Sequence, residues 1–337
     1  MSFFAEYGMF LLKTVTIVSA ILVIIATMVT LKLKSKAIDK GTLSIEKLND
    51  NYDEMSDIIN DTIQTKSEKK AFKKTQKEKS KKAKDTSKKK LFVLHFDGDI
   101  RASALSALRE EITAILLTAK PHEDEVLLKL DSSGGLVNAY GLAASQLQRL
   151  RDAHITLTVA IDKMAASGGY MMACVANTII AAPFSVIGSI GVIAQLPNFH
   201  RLLQKNHVEF EQITAGEYKR TLTVFGENTR AGRAKLQDEI NEMHELFKVF
   251  VKTHRPQVDL DQVATGEHWF ATQAIDKALV DKLQTSDDYL LRYNDTHDMY
   301  AIRYQFKQPL AKRFTSAIQR SADHLLSRQQ NKRDYIA

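Results

Sequence analysis

The chain contains a single cysteine, Cys174, in 337 residues. One thiol cannot make an intramolecular disulfide or a cysteine-based zinc site, so both classes are excluded. Cys174 falls in a small, apolar stretch and reads as a buried hydrophobe. No internal repeat is present, which excludes solenoid and propeller folds. The nucleophile-elbow pattern G-x-S-x-G is also missing, and none of the ten histidines sits in a glycine-framed loop beside a serine. Positive charge is absent as a general property of the folded part. Residues 66–90 hold 13 lysines and three acids, so +10 of charge lies there against +7 for the whole chain, leaving −3 elsewhere. The high pI is therefore no argument for nucleic-acid binding, and none is expected.

Apolar residues make up 44% of the chain, enough for a substantial core. Met9–Leu33 reads as a membrane anchor, because Val15–Leu31 runs 17 residues without a charge. A cleaved signal peptide would have a positive start and a shorter apolar core. Lys32, Lys34, Lys36 and Lys40 follow the run and, by the positive-inside rule, point to a cytoplasmic C-terminal flank. Leu43–Ile63 has loose helical spacing and reads as an amphipathic helix. Residues 66–90 are too polar to fold alone and read as a solvated tether that could touch anionic lipid.

From Leu91 the pattern changes to apolar runs alternating with helical stripes. Strands are expected at Leu91–Phe96, Val126–Leu130, Ile155–Ile161, Thr178–Ala182 and Val208–Ile213, with a last one at Asp298–Gln305. Helices are expected at Ala102–Ala119, Val137–Leu150, Pro197–Asn206, Asn228–His254 and within Gly266–Leu283. This alternation argues for an α/β fold with a mostly parallel sheet. The expected organisation is an anchor at 1–33, an amphipathic segment and tether at 34–90, a catalytic domain at 91–295, and a C-terminal strand with a basic helical tail at 296–337. In that tail Phe314, Ile318 and Leu325 are spaced for a partner face.

The chemistry centres on Met164–Tyr170, M-A-A-S-G-G-Y. Ser167 lies between a strand pattern and a helix pattern, where a side chain projects into a cleft and helix N–H groups are free. Gly168 and Gly169 let backbone approach a substrate. An ordinary serine cap explains the same local pattern. If Ser167 is a nucleophile, a lysine is one base able to serve it, provided it is desolvated. Lys219 stands out from the other lysines. It follows the expected strand Val208–Ile213 and the small-residue turn at Ala215-Gly216, where active-site loops of open α/β sheets lie.

Five segments together resemble the signal peptide peptidase A family of Ser-Lys peptidases, peptidase family S49. They are D-S-S-G-G at Asp131–Gly135, M-A-A-S-G-G-Y at Met164–Tyr170, G-S-I-G-V at Gly188–Val192, T-A-G-E-Y-K at Thr214–Lys219, and the G-x-x-W-x-x-x-x-A-x-x-x-x-L-V-D pattern at Gly266–Asp281. They occur in the family's order and at similar spacing over Leu91–Leu283. A single catalytic domain behind one anchor is most similar to the SohB branch. The resemblance implies a ClpP/crotonase-like fold, with Ser167 as nucleophile and Lys219 as general base. It also implies an oxyanion hole from the N–H groups of Gly134 and Gly168, and Ser189 as the residue orienting the base. Ser133 stands where the family loop has proline.

The family further implies a homo-oligomeric ring with sites that can be shared between chains, and peptide or protein substrates such as signal-peptide remnants. It implies a bacterial inner-membrane location through the N-terminal helix, and no metal or other cofactor. Family habit places the domain in the periplasm, against the lysine flank. Two other readings share the fold: an inactive membrane scaffold and a crotonase-type acyl-CoA enzyme.

Overall fold

The computed structural model describes residues 7–22, 41–65 and 88–306. The chain divides into two units, one of residues 1–44 with 304–337 and one of residues 45–303. In the first unit, residues 7–22 are helical and exposed. The rest of the expected anchor, 23–33, lies outside the described residues. Among the described residues no helix is long and apolar enough to cross a membrane. Of the expected tether at 66–90, residues 66–87 lie outside them, as does the tail from 307, whereas Lys89 and Lys90 belong to a strand rather than to a tether.

The larger unit is a mixed α/β domain. Its elements run β1 (Thr42–Lys47, begun in the smaller unit), α1 (Leu48–Ile63), β2 (Lys89–Gly98), α2 (Leu105–Leu116), β3 (Glu125–Ser132), α3 (Val137–Asp152) and β4 (Thr156–Ile161). They continue through β5 (Met164–Ala166), α4 (Gly168–Ala173), β6 (Thr178–Ala181), β7 (Val186–Gly188), α5 (His200–Lys205) and α6 (Arg230–His254). Last come α7 (Leu260–Val263), β8 (His268–Phe270), α8 (Ala271–Ala274), β9 (Lys282–Leu283), α9 (Ser286–Tyr293) and β10 (His297–Gln305).

The main sheet has the order β1-β10-β2-β3-β4-β6-β9, with β5, β7 and β8 branching from β3. β10–β2, β2–β3, β3–β4, β4–β6 and β6–β9 pair parallel. β3–β5 and β5–β7 are also parallel, and β7–β8 is antiparallel. The central strands β2, β3, β4 and β6 are apolar on both faces because both faces are covered. In β2, Phe92, Leu94 and Phe96 join the larger core, which includes Leu108, Ile112 and Leu147 from α2 and α3. Leu91 and Val93 alternate to the other face, with Leu127, Tyr289, Leu290 and Met299.

Three expectations change. Leu43 and its neighbours form strand β1 rather than the start of a helix. β5 is a separate strand too short to show periodicity. Val208–Ile213 is not a strand: it is irregular and exposed throughout. Its alternating pattern (V-E-F-E-Q-I) has the period of a strand but, among the described residues, pairs with no neighbouring strand.

Candidate active site

The site lies at the C-terminal ends of the parallel strands, as the topology of open α/β sheets favours. β5 ends at Ala166, and α4 starts at Gly168. Ser167 makes the turn between them with φ 53 and ψ −120, a left-handed conformation uncommon for a residue with a side chain. Both sides hold it there. Its N–H donates to Gly188 O at 2.8 Å, and its carbonyl accepts from Met171 N at 3.0 Å. The side chain is half-buried. The local signal that reads as a cap does not operate as one, because the Ser167 side chain makes no capping hydrogen bond.

Gly134 and Gly168 flank Ser167 closely. Gly134 has φ +89, and a Cβ on it would lie 2.7 Å from Gly168 N and 2.8 Å from Ser167 Cβ. Only glycine meets both demands. A Cβ on Gly168 would lie 2.5 Å from the ring of Tyr140. Gly168 is the first residue of its helix, so its N–H has no intrahelical acceptor. The Gly134 N–H donates to Ser132 Oγ at 3.1 Å. Ser133 is exposed, and the following residues are tied to the loop after β2 by Leu136 N donating to Ile100 O at 2.8 Å.

Ser189 stands beside Ser167. β5 and β7 pair Ala166 with Gly188, so the two serines are the next residues along neighbouring strands. Ser189 also has a positive φ, 52°, and its N–H donates to Glu267 O at 2.6 Å. His244 Nε2 lies 3.2 Å from Ile190 O and holds the strand just beyond Ser189. The structure thus brings Gly134, Ser167, Gly168 and Ser189 together.

Lys219 is not among them. It is exposed on the irregular segment after α5. It lines an open, apolar concavity of about 680 Å³ with Leu196, Phe210, Ile213, Leu222 and Phe225, and none of the four residues above lines it. Among the described residues no ion pair or hydrogen bond joins the Lys219 side chain to any group. Cys174 is buried, and burial pushes its thiol up, as befits the inert reading. Among the described residues no cluster of histidine, cysteine and acidic side chains could hold a metal ion.

Sequence reasoning missed Ser132 and Tyr140. Tyr140 is fully buried, its hydroxyl 2.6 Å from Ser132 Oγ and donating to Asp99 O at 2.8 Å. In sequence it is one apolar position of a helix, and nothing local marks it.

A serine with a strained backbone set closely against Gly134 and Gly168, on a mostly parallel α/β sheet, is an arrangement a hydrolase can use. The family models agree on the class: residues 2–147 match "Peptidase family S49 N-terminal" and residues 149–299 match "Peptidase family S49". The chain belongs to peptidase family S49, and peptidase function is what that membership supports. A Haemophilus influenzae protein described as "Probable protease SohB" is 48% identical over 346 residues, covering 98% of each chain. One of the same description from Buchnera aphidicola subsp. Schlechtendalia chinensis is 50% identical, covering 86% of this chain and 99% of its own. A solved membrane-bound stomatin-specific protease superposes with a TM-score of 0.40 at 15% identity, over 61% of this chain and 85% of that one.

Proposed function

We propose that this chain is a membrane-anchored serine endopeptidase with Ser167 as nucleophile and Lys219 as general base. The observation that carries the reading is the strained backbone of Ser167 with the Gly134 and Gly168 backbone against it. Strain of this kind persists where the surroundings over-determine it, and it clusters at working sites.

In the reaction, Ser167 Oγ attacks the scissile carbonyl while a neutral Lys219 takes its proton. The carbonyl oxygen becomes an oxyanion and receives the N–H groups of Gly134 and Gly168. The proton then passes to the leaving amine and the C–N bond breaks, leaving an acyl-serine. Water, deprotonated by the same lysine, releases the acid and restores Ser167. Ser189 orients the lysine. No cofactor takes part.

Lys219 is far from desolvated in the single chain, and a lysine serves as base only when it is desolvated. A ClpP/crotonase-like ring resolves this, with Lys219 of one chain delivered to Ser167 of its neighbour. The apolar surroundings of the exposed segment suit burial between chains. An extended, apolar peptide adding a strand beside the Gly134 loop fits the site, and signal-peptide remnants or other membrane-associated polypeptides supply such segments. The N-terminal apolar run of the sequence supports a location at the bacterial inner membrane.

The test is hydrolysis of a fluorogenic peptide with an apolar P1 residue by the full chain. Ser167→Ala and Lys219→Ala are each expected to abolish turnover without loss of fold. Full activity in Lys219→Ala would place the base elsewhere.

A further inference from the structure

A hydrogen-bonded chain runs beneath the candidate oxyanion hole and ends on a fixed acceptor. Gly134 N–H donates to Ser132 Oγ at 3.1 Å, Ser132 Oγ and Tyr140 Oη lie 2.6 Å apart, and Tyr140 donates to Asp99 O at 2.8 Å. Tyrosine has one proton, and Asp99 O takes it, so the Ser132 hydroxyl donates to Tyr140. All three hydrogen bonds then run the same way, toward Asp99 O. Burial holds the Tyr140 hydroxyl above the ordinary tyrosine range, so it remains a donor. The acceptor end is rigid. Asp99 Oδ1 accepts from Arg101 N at 3.1 Å and from Ser103 N at 2.8 Å, and Asp99 O also accepts from Ala102 N at 2.9 Å.

The ring of the same tyrosine does a second job. It is fully buried and backs Gly168 so closely that no Cβ fits between them. It meets Phe96 in a T-shaped arrangement with ring centroids 6.4 Å apart.

We propose that Tyr140 is a positioning residue that sets both oxyanion donors at once: its ring fixes Gly168, and its hydroxyl, through Ser132, fixes Gly134. The inference rests on the serine-peptidase reading above and adds to it. Ser132 Oγ is a neutral acceptor that keeps the Gly134 N–H engaged in the resting site. A substrate carbonyl is also neutral and has no advantage over it. A developing oxyanion is charged and draws the same N–H into a shared bond roughly twice as strong, while Ser132 Oγ goes on holding Gly134 in register. The contribution is thus made in the transition state and belongs to kcat rather than KM.

Tyr140→Phe keeps the ring behind Gly168 and removes only the hydroxyl. The Ser132 hydroxyl then turns to Gly98 O, already 3.4 Å away, and no longer holds Gly134 in register. The experiment uses the full-length chain in detergent, as wild type, Tyr140→Phe, Ser132→Ala and the double variant. It reads kcat and KM on an apolar-P1 peptide, the melting temperature, and the rate at which a peptidyl diaryl phosphonate labels Ser167. In labelling, Ser167 Oγ bonds phosphorus and a phenolate leaves.

Each single variant is expected to lose about tenfold in kcat and in labelling rate, less than the loss of a donor itself. KM should stay within about twofold, with melting preserved, and the double variant should be no worse than either single one. Wild-type kcat and labelling in both variants would overturn the inference. So would a loss expressed in KM, or losses that multiply in the double variant. If Tyr140→Phe does not fold, Ser132→Ala interrupts the same chain and its labelling rate decides. A wild type that phosphonate never labels at Ser167 would remove the peptidase reading and this inference with it. Labelled wild type with unaffected variants would remove this inference alone.

Discussion

Ser167 carries a backbone conformation that costs on the order of 1–3 kcal/mol, and its neighbours hold it there. The tightest of them is Gly134. Gly134→Ala would force a Cβ to within 2.7 Å of Gly168 N and 2.8 Å of Ser167 Cβ, so the two loops must move apart. We expect kcat/KM to fall by about a hundredfold or more, the scale of losing an oxyanion donor. Steady-state kinetics on the apolar-P1 peptide checks this, and a loss under about threefold would show that the loop does not serve the oxyanion. At this scale much of the site was legible in sequence. Gly134, Ser167, Gly168 and Ser189 lie in short glycine-bearing segments, and glycine marks backbone that must come close. Tyr140 was not legible. Its partner Asp99 O lies 41 residues away, and a tyrosine on a helix face looks like any core aromatic.

Among the elements, α4 is anchored from below as well as held at its start. Tyr170 donates to Leu279 O at 3.1 Å. Beside it, Arg255 grips both oxygens of Asp281 at 2.8 Å, and Asp281 Oδ2 accepts from Ile179 N at 2.7 Å. Arg255 is 3% exposed, and Asp281 raises its pKa against the effect of burial. Arg255→Met leaves Asp281 without its charge partner. We expect a loss of about 3 kcal/mol in urea unfolding, the lower end for a broken buried pair because Asp281 is a third exposed. An unchanged midpoint would show that the pair does not anchor the element.

β10 carries a pH-dependent contribution of defined sign. Burial lowers the pKa of His297 below its ordinary value of 6.5, so the folded strand prefers the neutral ring. Its stabilisation is present above the ordinary pKa and is lost as pH falls through the lowered one, where both states are protonated. Melting temperature should therefore drop on acidification below about pH 6.5, and His297→Asn should flatten that slope. An identical slope in the variant would assign the acid sensitivity to other groups. Elements with a full neighbour on each side, such as β2, β3 and β4, were readable as apolar runs bounded by polar turns. β5 and β7 are three residues each, too short for any period to show. Val208–Ile213 misled for the opposite reason, because it has the period without a pairing partner among the described residues.

On the scale of the whole molecule, the single chain leaves apolar side chains uncovered on α5 and on the irregular stretches before and after it, the later of which bears Lys219. Ile193 is 81% exposed and Ile213 is 91% exposed, with Leu202, Val208 and Phe225 also in solvent. An apolar surface of this kind is ordinarily covered by a partner. On the reading proposed here, a second copy of the chain would bury it and desolvate Lys219 in the same step, and assembly would be a condition for catalysis. The chain should accordingly run as an oligomer on size-exclusion with light scattering. Ile213→Glu should dissociate it and reduce turnover by about a hundredfold, with melting of the isolated domain kept; a fully active monomer would contradict the account.

The most direct measurement mixes two inactive proteins. Full-length Ser167→Ala and Lys219→Ala are purified separately, combined, allowed to exchange subunits, and assayed on the apolar-P1 peptide. If each site takes its serine from one chain and its lysine from the next, some sites in the mixed rings hold both residues, and turnover returns to a fraction of wild type. If exchange is demonstrated and the mixture stays as inactive as its parts, Lys219 does not serve the serine of a neighbouring chain, and the shared Ser-Lys site is wrong.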